Sequence, residues 1–183
     1  MTKSLIIGRR ALPLWVEWWL AISSFLCTLD IIYTMLRPLT VRGGALETVY
    51  EPWNIYSDVD LRYADPKDLV TMATGRVMIV EIILNIIALF LARINSRHAA
   101  LTAFTSSAFC FWKTTWYLVL YIRQPEGTPE YLADVPMWQK ILVFWVADGV
   151  WVVFPFAVMV ALWNRLARDE AEYVELRRDE TMP

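Results

Sequence analysis

Residues 70–92 read VTMATGRVMIVEIILNIIALFLA, and only Arg76 and Glu81 carry charge within this run. The run meets the roughly 20 residues that an α-helix needs to cross about 30 Å of hydrocarbon. Three more apolar stretches of similar length occupy about 13–36, 100–122 and 138–163. Because backbone groups in lipid must hydrogen-bond internally, each stretch is expected to be a helix. The sequence therefore predicts an all-α integral membrane protein, a bundle of four transmembrane helices.

The composition agrees with a membrane protein and excludes several function classes. Of the 183 residues, 57% are hydrophobic, whereas typical soluble domains are about 45–50% apolar. The net charge of -2 offers no basic field for nucleic acid. The single His98 and the two cysteines, Cys27 and Cys110, show no metal-ligand spacing. We therefore expect no metal, no cofactor and no multi-histidine catalytic site.

The charges outside the apolar stretches predict the orientation in the bilayer. Lys and Arg are slightly more frequent on the side that would hold both termini, which favours cytoplasmic termini. The chain shows no repeat and no linker. Residues 1–168 are therefore expected to form a single membrane domain, and 169–183 a charged cytoplasmic tail.

Each predicted span carries one charge near its centre: Asp30, Glu81, Lys113 and Asp148. A charge at the centre of a membrane helix costs about 2.5–3.5 kcal/mol on insertion scales, so it usually faces the bundle interior and has a partner or a task. The three carboxyls are candidate catalytic acids and bases, and Lys113 could tune a carboxylate or anchor a ligand oxygen. The alternative is a structural ion pair between Lys113 and either Glu81 or Asp148.

Helical spacing predicts which other side chains would surround these charges. Residues three, four or seven positions apart share a helix face. On this basis the candidate substrate-binding residues are Asn85, Trp116, Tyr117, Trp145 and Trp151. A carboxyl in an apolar wall can donate a proton, and aromatic rings stabilise a cation by roughly 0.5–2 kcal/mol each. The pattern predicts proton-initiated carbocation chemistry, with Trp116, Trp145 and Trp151 around the cation.

Residues 53–63, WNIYSDVDLRY, lie between the first two predicted spans. Their pattern W-x-x-Y-[SA]-x-x-D-x-R-Y resembles the segment after the first core helix of the emopamil-binding protein family, whose four-helix unit is the EXPERA domain. Residues 78–81, MIVE, and 148–155, DGVWVVFP, are similar to family motifs in two later core helices. The resemblance covers about residues 14–163.

The resemblance implies a lipid-binding cavity in the endoplasmic reticulum membrane that takes an isoprenoid or sterol. Glu81 would be the catalytic or ligand-binding acid, and Trp151 would be a cation-stabilising ring. Asp30 and Asp60 resemble two aspartates of the sigma-2 receptor, a member of the family. Asp60 could equally be structural and bridge the loop through Arg62. The sequence leaves undecided whether the protein forms a homodimer.

Three departures from the family pattern concern its proton-handling residues. Residues 23–36 contain no histidine, although the sterol isomerases of the family carry an H-x-x-x-E pair there. Asp148 replaces an asparagine, and Lys113 with Thr114 replaces a Gly-Asp pair. These changes favour a terpenoid cyclase of the meroterpenoid type, acting on a prenyl or epoxyprenyl lipid. The alternatives are a sterol Δ8–Δ7 isomerase and a non-enzymatic sterol- or amine-binding protein of the sigma-2 type.

Overall fold

The computed structural model describes residues 10–180, with side chains through residue 167. Four long helices are joined by short helical segments, and no strand occurs in the described part of the chain. The helices are α1 (Leu14–Met35), α2 (Glu51–Ser57), α3 (Leu61–Ala64), α4 (Leu69–Arg93), α5 (His98–Val119), α6 (Met137–Gln139) and α7 (Ala147–Glu180), with a π-helical segment at Lys140–Val146.

The helix ends follow from local sequence. Asp68 precedes α4 and accepts a hydrogen bond from the backbone nitrogen of Thr71 at 2.8 Å, which satisfies one of the free N–H groups of the first turn. At the other end of α4, Asn95 adopts a left-handed φ of 53°. Asn tolerates this conformation better than most residues. The chain therefore reverses within a few residues, and α5 runs back antiparallel to α4.

The long helices pack in the order α1, α4, α5 and α7. Small residues let the backbones approach closely, as is common where helices pack in membranes. Ala88 of α4 meets Ala99 and Ala103 of α5 in one buried cluster. Gly75 of α4 lies against Thr34 of α1, where an added Cβ would come within 2.9 Å of the threonine hydroxyl.

The outer surface of the bundle is apolar, and several polar side chains are buried inside it. Large apolar side chains such as Trp18, Phe25 and Val153 are more than 60% exposed, whereas Glu81 and Asn85 are buried. This distribution suits a lipid environment, because hydrocarbon solvates apolar surface and penalises polar groups. The chain is an all-helical protein with apolar helices that can cross a bilayer.

Within the described residues, three helices are long and apolar enough to span a membrane: Leu14–Met35, Leu69–Arg93 and Met137–Ala167. They correspond to the first, second and fourth predicted stretches. The third stretch forms α5, a helix of 22 residues that is less hydrophobic because it carries Ser, Thr and Lys113. Helix α7 continues beyond the predicted domain boundary at 168 to Glu180. Residues 1–9 and 181–183 of the predicted domain and tail lie outside the described residues.

One end of the bundle is covered by a cap, formed by residues 36–68 and 120–136. The two parts of the cap are joined by backbone hydrogen bonds. The nitrogen of Leu61 donates to the carbonyl of Tyr131, and the nitrogen of Ala133 donates to that of Val59, each at 2.9 Å. Arg62 stacks its guanidinium 3.5 Å above the ring centre of Tyr131. The cap is thus a folded layer that closes this end.

Arg37 attaches the cap to the helices. Its guanidinium donates to the backbone carbonyl of Tyr63 at 2.8 Å, to that of Arg62 at 3.2 Å, and to the hydroxyl of Thr71 in α4 at 3.0 Å. Its Nε donates to the carbonyl of Thr34 at 2.9 Å. Arg37 is only 9% exposed, so these acceptors have little access to water if the guanidinium is removed.

We expect Arg37→Ala to destabilise the folded protein by at least about 2 kcal/mol, because several buried acceptors lose a charged donor. Arg42→Ala is the matched control, since Arg42 makes its ion pairs with Glu47, Glu51 and Asp58 on the exposed face of the cap. Thermal unfolding in detergent, followed by tryptophan fluorescence, compares the two variants. Equal melting temperatures would contradict the role given to Arg37.

Candidate functional site

A cavity of about 300 Å³ lies beneath the cap, between α1, α4, α5 and α7. This volume is at the lower end of the range of roughly 300–1,000 Å³ for small-molecule sites. Its wall contains Leu26, Cys27, Asp30, Pro52, Trp53, Tyr56, Tyr63, Thr74, Met78, Lys113, Thr114, Tyr117, Ala147, Asp148 and Trp151. Pro52 and Ala147 are also exposed, so the cavity opens beside α2 and α7. Within the described residues, no three His, Cys, Asp or Glu side chains are placed to hold a metal ion.

Asp30 of α1 is held by two residues of the cap. Trp53 donates its indole N–H to Oδ1 at 2.9 Å. The Tyr63 hydroxyl lies 2.7 and 2.6 Å from the two carboxyl oxygens. The Asp30 carboxyl therefore has a fixed orientation at the cavity wall, and it acts as an acceptor toward both donors.

Asp148 of α7 enters the same wall from the opposite helix. It follows directly after the π-helical segment Lys140–Val146, a rare conformation that occurs frequently at functional sites. Tyr56 of the cap donates its hydroxyl to Oδ2 of Asp148 at 2.8 Å. Asp30 and Asp148 thus share one cavity, and each is positioned by tyrosine.

Asp60 is fully buried in the cap and is not part of the cavity wall. Tyr117 donates to its Oδ2 at 2.5 Å, and Tyr121 donates to its Oδ1 at 2.7 Å. Burial raises the pKa of Asp60, and the tyrosine hydrogen bonds oppose that increase. The backbone nitrogen of Arg62 also donates to Oδ1, at 3.1 Å. Asp60 therefore contacts Arg62 through the backbone amide and not through the guanidinium, which instead pairs with Asp68 at 3.0 Å.

Glu81 forms a buried ion pair with Lys113. The Lys113 ammonium lies 2.8 Å from Oε2 of Glu81, and the Cys27 thiol donates to Oε1 at 3.8 Å. Of the two possible partners of Lys113, Glu81 and Asp148, the structure pairs it with Glu81. Lys113 lines the cavity, whereas Glu81 and Asn85 lie behind the wall. Ser106 of α5 donates to Oδ1 of Asn85 at 2.6 Å.

The aromatic wall differs from the expected one. Trp151 lines the cavity, with its ring centre 5.3 Å from that of Trp19. Trp116 does not line it, because Tyr117 takes the inward position on α5 and leaves Trp116 on the outer surface, 50% exposed. Trp145 also lies away from the wall. It belongs to the π-helical segment, where the wider turn removes it from the face of Asp148, and its ring packs against Phe144 at 5.3 Å.

Three aromatic residues of the wall are not among the predicted site residues: Trp53, Tyr56 and Tyr63. All three belong to the motif at residues 53–63, and their place in that motif is the only feature of the sequence that could have indicated them as site residues. Two short helices, α2 and α3, bring them over the open end of the bundle. Outside a long helix there is no periodicity to indicate which way a side chain points, so only their contacts reveal their position.

Comparisons with protein-family models, with curated proteins and with solved structures find no match for this chain. The resemblance to the emopamil-binding protein family therefore remains a prediction from the motifs.

We expect Glu81→Gln to lower the free energy of unfolding by about 3–5 kcal/mol, because it leaves the Lys113 ammonium buried without its counter-charge. The double variant Glu81→Gln with Lys113→Gln should recover most of this loss. Thermal unfolding of the two single variants and the double variant measures the coupling. Additive losses in the double variant would show that the two charges do not depend on each other.

Proposed function

We propose that the protein is a membrane-embedded enzyme of isoprenoid metabolism, a terpenoid cyclase that protonates a prenyl or epoxyprenyl lipid. One observation carries the proposal. Two carboxyls, Asp30 and Asp148, lie on the wall of a single cavity whose other groups are mostly apolar or aromatic. The proposed reaction begins when an acid donates a proton, passes through a cation, and ends when a base removes a proton. An acid and a base on an apolar wall supply both proton transfers.

Asp148 is the proton donor in this proposal. In its acid form it protonates an epoxide oxygen, the carbon–oxygen bond breaks, and a tertiary carbocation forms. An alkene of the same chain supplies the electron pair for the new carbon–carbon bond. Asp30 then removes a proton from the cyclised cation, which restores an alkene. Asp30 suits the accepting role because the donors Trp53 and Tyr63 already hold its two oxygens as acceptors.

The cation is stabilised by its surroundings. Trp151 and Trp53 line the cavity, and a ring face contributes roughly 0.5–2 kcal/mol to a nearby cation. The positive charge of Lys113 is neutralised by Glu81, so it does not oppose the cation. The cap covers one side of the cavity, and a bound prenyl chain would fill the opening beside α2 and α7, which leaves little water to capture the cation. Under this proposal Glu81 acts through Lys113 and does not touch the substrate.

The membrane arrangement belongs to the same proposal. Helix α5 packs along α4 and α7, which are both apolar enough to span, so we propose that it crosses the bilayer as a fourth span. Its less hydrophobic composition fits this position, because Ser106 and Ser107 are buried inside the bundle. The proposed location is the endoplasmic reticulum membrane with both termini cytoplasmic, as the family resemblance and the loop charges suggest.

The test is conversion of a defined probe by the purified full-length protein in lipid nanodiscs. We expect wild type to cyclise an epoxyfarnesyl phenol, and Asp148→Asn to lose turnover by roughly 10²–10⁴-fold while it retains probe binding. Asp134→Asn is the matched control, since it removes an exposed carboxyl from the same end of the protein. Undiminished turnover by Asp148→Asn would eliminate Asp148 as the acid.

Two other outcomes would replace the proposal. Conversion of a Δ8 sterol with no reaction of the epoxide would identify a sterol isomerase. Tight binding of sterols or amines without conversion of either probe would identify a binding protein.

A further inference from the structure

The hydroxyl of Tyr56 lies between two carboxyls. Its oxygen is 2.8 Å from Oδ2 of Asp148 and 3.3 Å from Oδ2 of Asp60. A phenol has a single proton, so Tyr56 can donate to only one of these carboxyls at a time. The other contact is an ordinary hydrogen bond only when that carboxyl carries a proton itself. The position of the Tyr56 proton therefore depends on the protonation of both acids.

The contacts continue on the far side of Asp60. Tyr117 donates to Oδ2 of Asp60 at 2.5 Å, and the Tyr121 hydroxyl lies 3.0 Å from the Tyr117 hydroxyl. Asp148, Tyr56 and Tyr117 line the cavity, whereas Tyr121 lies beyond the end of α5 and is half-buried. An unbroken series of oxygen atoms thus runs from the wall of the cavity to Tyr121 in the cap.

We infer that Tyr121, Tyr117, Asp60 and Tyr56 form a path that returns a proton to Asp148 after each turnover. This inference rests on the proposed function, in which Asp148 gives its proton to the substrate. An acid that protonates carbon or an epoxide oxygen must be reprotonated before it can act again. The cap covers the end of the cavity at which Asp148 lies, and a bound prenyl lipid would fill the opening beside α2 and α7, so the cap offers the route by which this proton reaches Asp148.

The transfer conserves protons at every oxygen along the path. A hydronium ion of the solvent gives a proton to Tyr121 as Tyr121 passes its own proton to Tyr117, and Tyr117 passes its proton to Oδ2 of Asp60. The Asp60 acid then donates to the Tyr56 oxygen as Tyr56 gives its proton to Asp148. One proton enters at Tyr121 and one arrives at Asp148, and each intermediate group ends with the number of protons it had before. Asp30 releases the proton that it took from the cation to water once the product has left, so the count of protons closes over one turnover.

The ionisation of the cap residues supports transfer by exchange. Burial, together with the charges of Asp148 and Asp60, raises the pKa of Tyr56 well above its usual range. Burial and the Asp60 charge likewise raise the pKa of Tyr121. Both phenols therefore stay neutral at physiological pH and release a proton only as they receive another. Burial also raises the pKa of Asp60 from its ordinary value, which brings its acid form within easier reach.

The opposing interpretation is that these hydrogen bonds only hold the cap in place. Tyr56→Phe distinguishes a proton path from a purely structural role, because it removes the oxygen between the two carboxyls and keeps the ring. The matched control is Tyr33→Phe, which removes a tyrosine hydroxyl that donates to Oδ1 of Asn54 in the cap at 3.1 Å. A second variant, Asp60→Asn, retains a side-chain oxygen for the Arg62 amide but cannot relay a proton as an acid.

The experiment compares first and later turnovers of an epoxyfarnesyl phenol by rapid quench, with full-length protein in nanodiscs. For Asp60→Asn we expect one equivalent of product at the wild-type rate, followed by a steady rate lower by roughly 10²-fold. Tyr56→Phe also loses the hydrogen bond that positions Asp148, so we expect its first turnover to slow, and its steady rate to fall by roughly 10²-fold more than its first turnover. Small weak acids such as imidazolium should restore part of the steady rate, and Tyr33→Phe should show neither effect. Equal slowing of the first and later turnovers, or no slowing at all, would overturn the path.

A second measurement does not require turnover. Infrared spectroscopy follows hydrogen–deuterium exchange of the Asp148 carboxyl, whose band is assigned by its loss in Asp148→Asn, at a pH low enough for the band to appear. Exchange should be slower in Tyr56→Phe than in wild type and Tyr33→Phe. Equal exchange in all three would overturn the path even if the enzyme is active. Absence of conversion by wild type, together with slowed exchange in Tyr56→Phe, would instead reject the cyclase and retain the path.

Discussion

Carboxyl groups inside an apolar bundle must be matched by donors, because the surrounding lipid supplies none. In this protein each match joins distant parts of the chain. Asp30 of α1 is matched by Trp53 and Tyr63 of the cap, and Asp148 of α7 by Tyr56. Glu81 of α4 is matched by Lys113 of α5. The arrangement of the helices and the docking of the cap both follow from this one requirement.

The cap is therefore part of the site and not only a connection between helices. Without it, Asp30 and Asp148 would lose the hydrogen bonds that orient them, and the cavity would have no roof. Tyr63 connects the attachment of the cap to the cavity. Its backbone carbonyl accepts a hydrogen bond from Arg37, and its hydroxyl donates to Asp30.

The sequence predicts the helical architecture well, because long apolar runs and central charges have few alternatives in a membrane. It also places Asp30, Asp148 and Trp151 on inward faces by simple spacing. Spacing fails where the helix is not regular: the π-helical segment moves Trp145 away from Asp148. It fails again in the cap, where Tyr56 and Tyr63 lie in short helices whose direction depends on contacts far along the chain. Finally, spacing puts Glu81 and Lys113 on inward faces but cannot show that they neutralise each other.

That neutralisation decides the electrostatic character of the cavity. Once Glu81 and Lys113 are paired, Asp30, Asp60 and Asp148 remain, and none of them forms an ion pair within the described residues. Their donors are neutral hydroxyl, indole and amide groups, which orient a carboxyl but bring no full positive charge. Any of these carboxyls that ionises creates a field in a low-dielectric space, where charges interact more strongly than in water. A neutral hydrocarbon gains nothing from this field, whereas a cation formed from it does. Under the proposed function, such a site would bind the charged intermediate better than the neutral substrate, which is the difference on which catalysis depends.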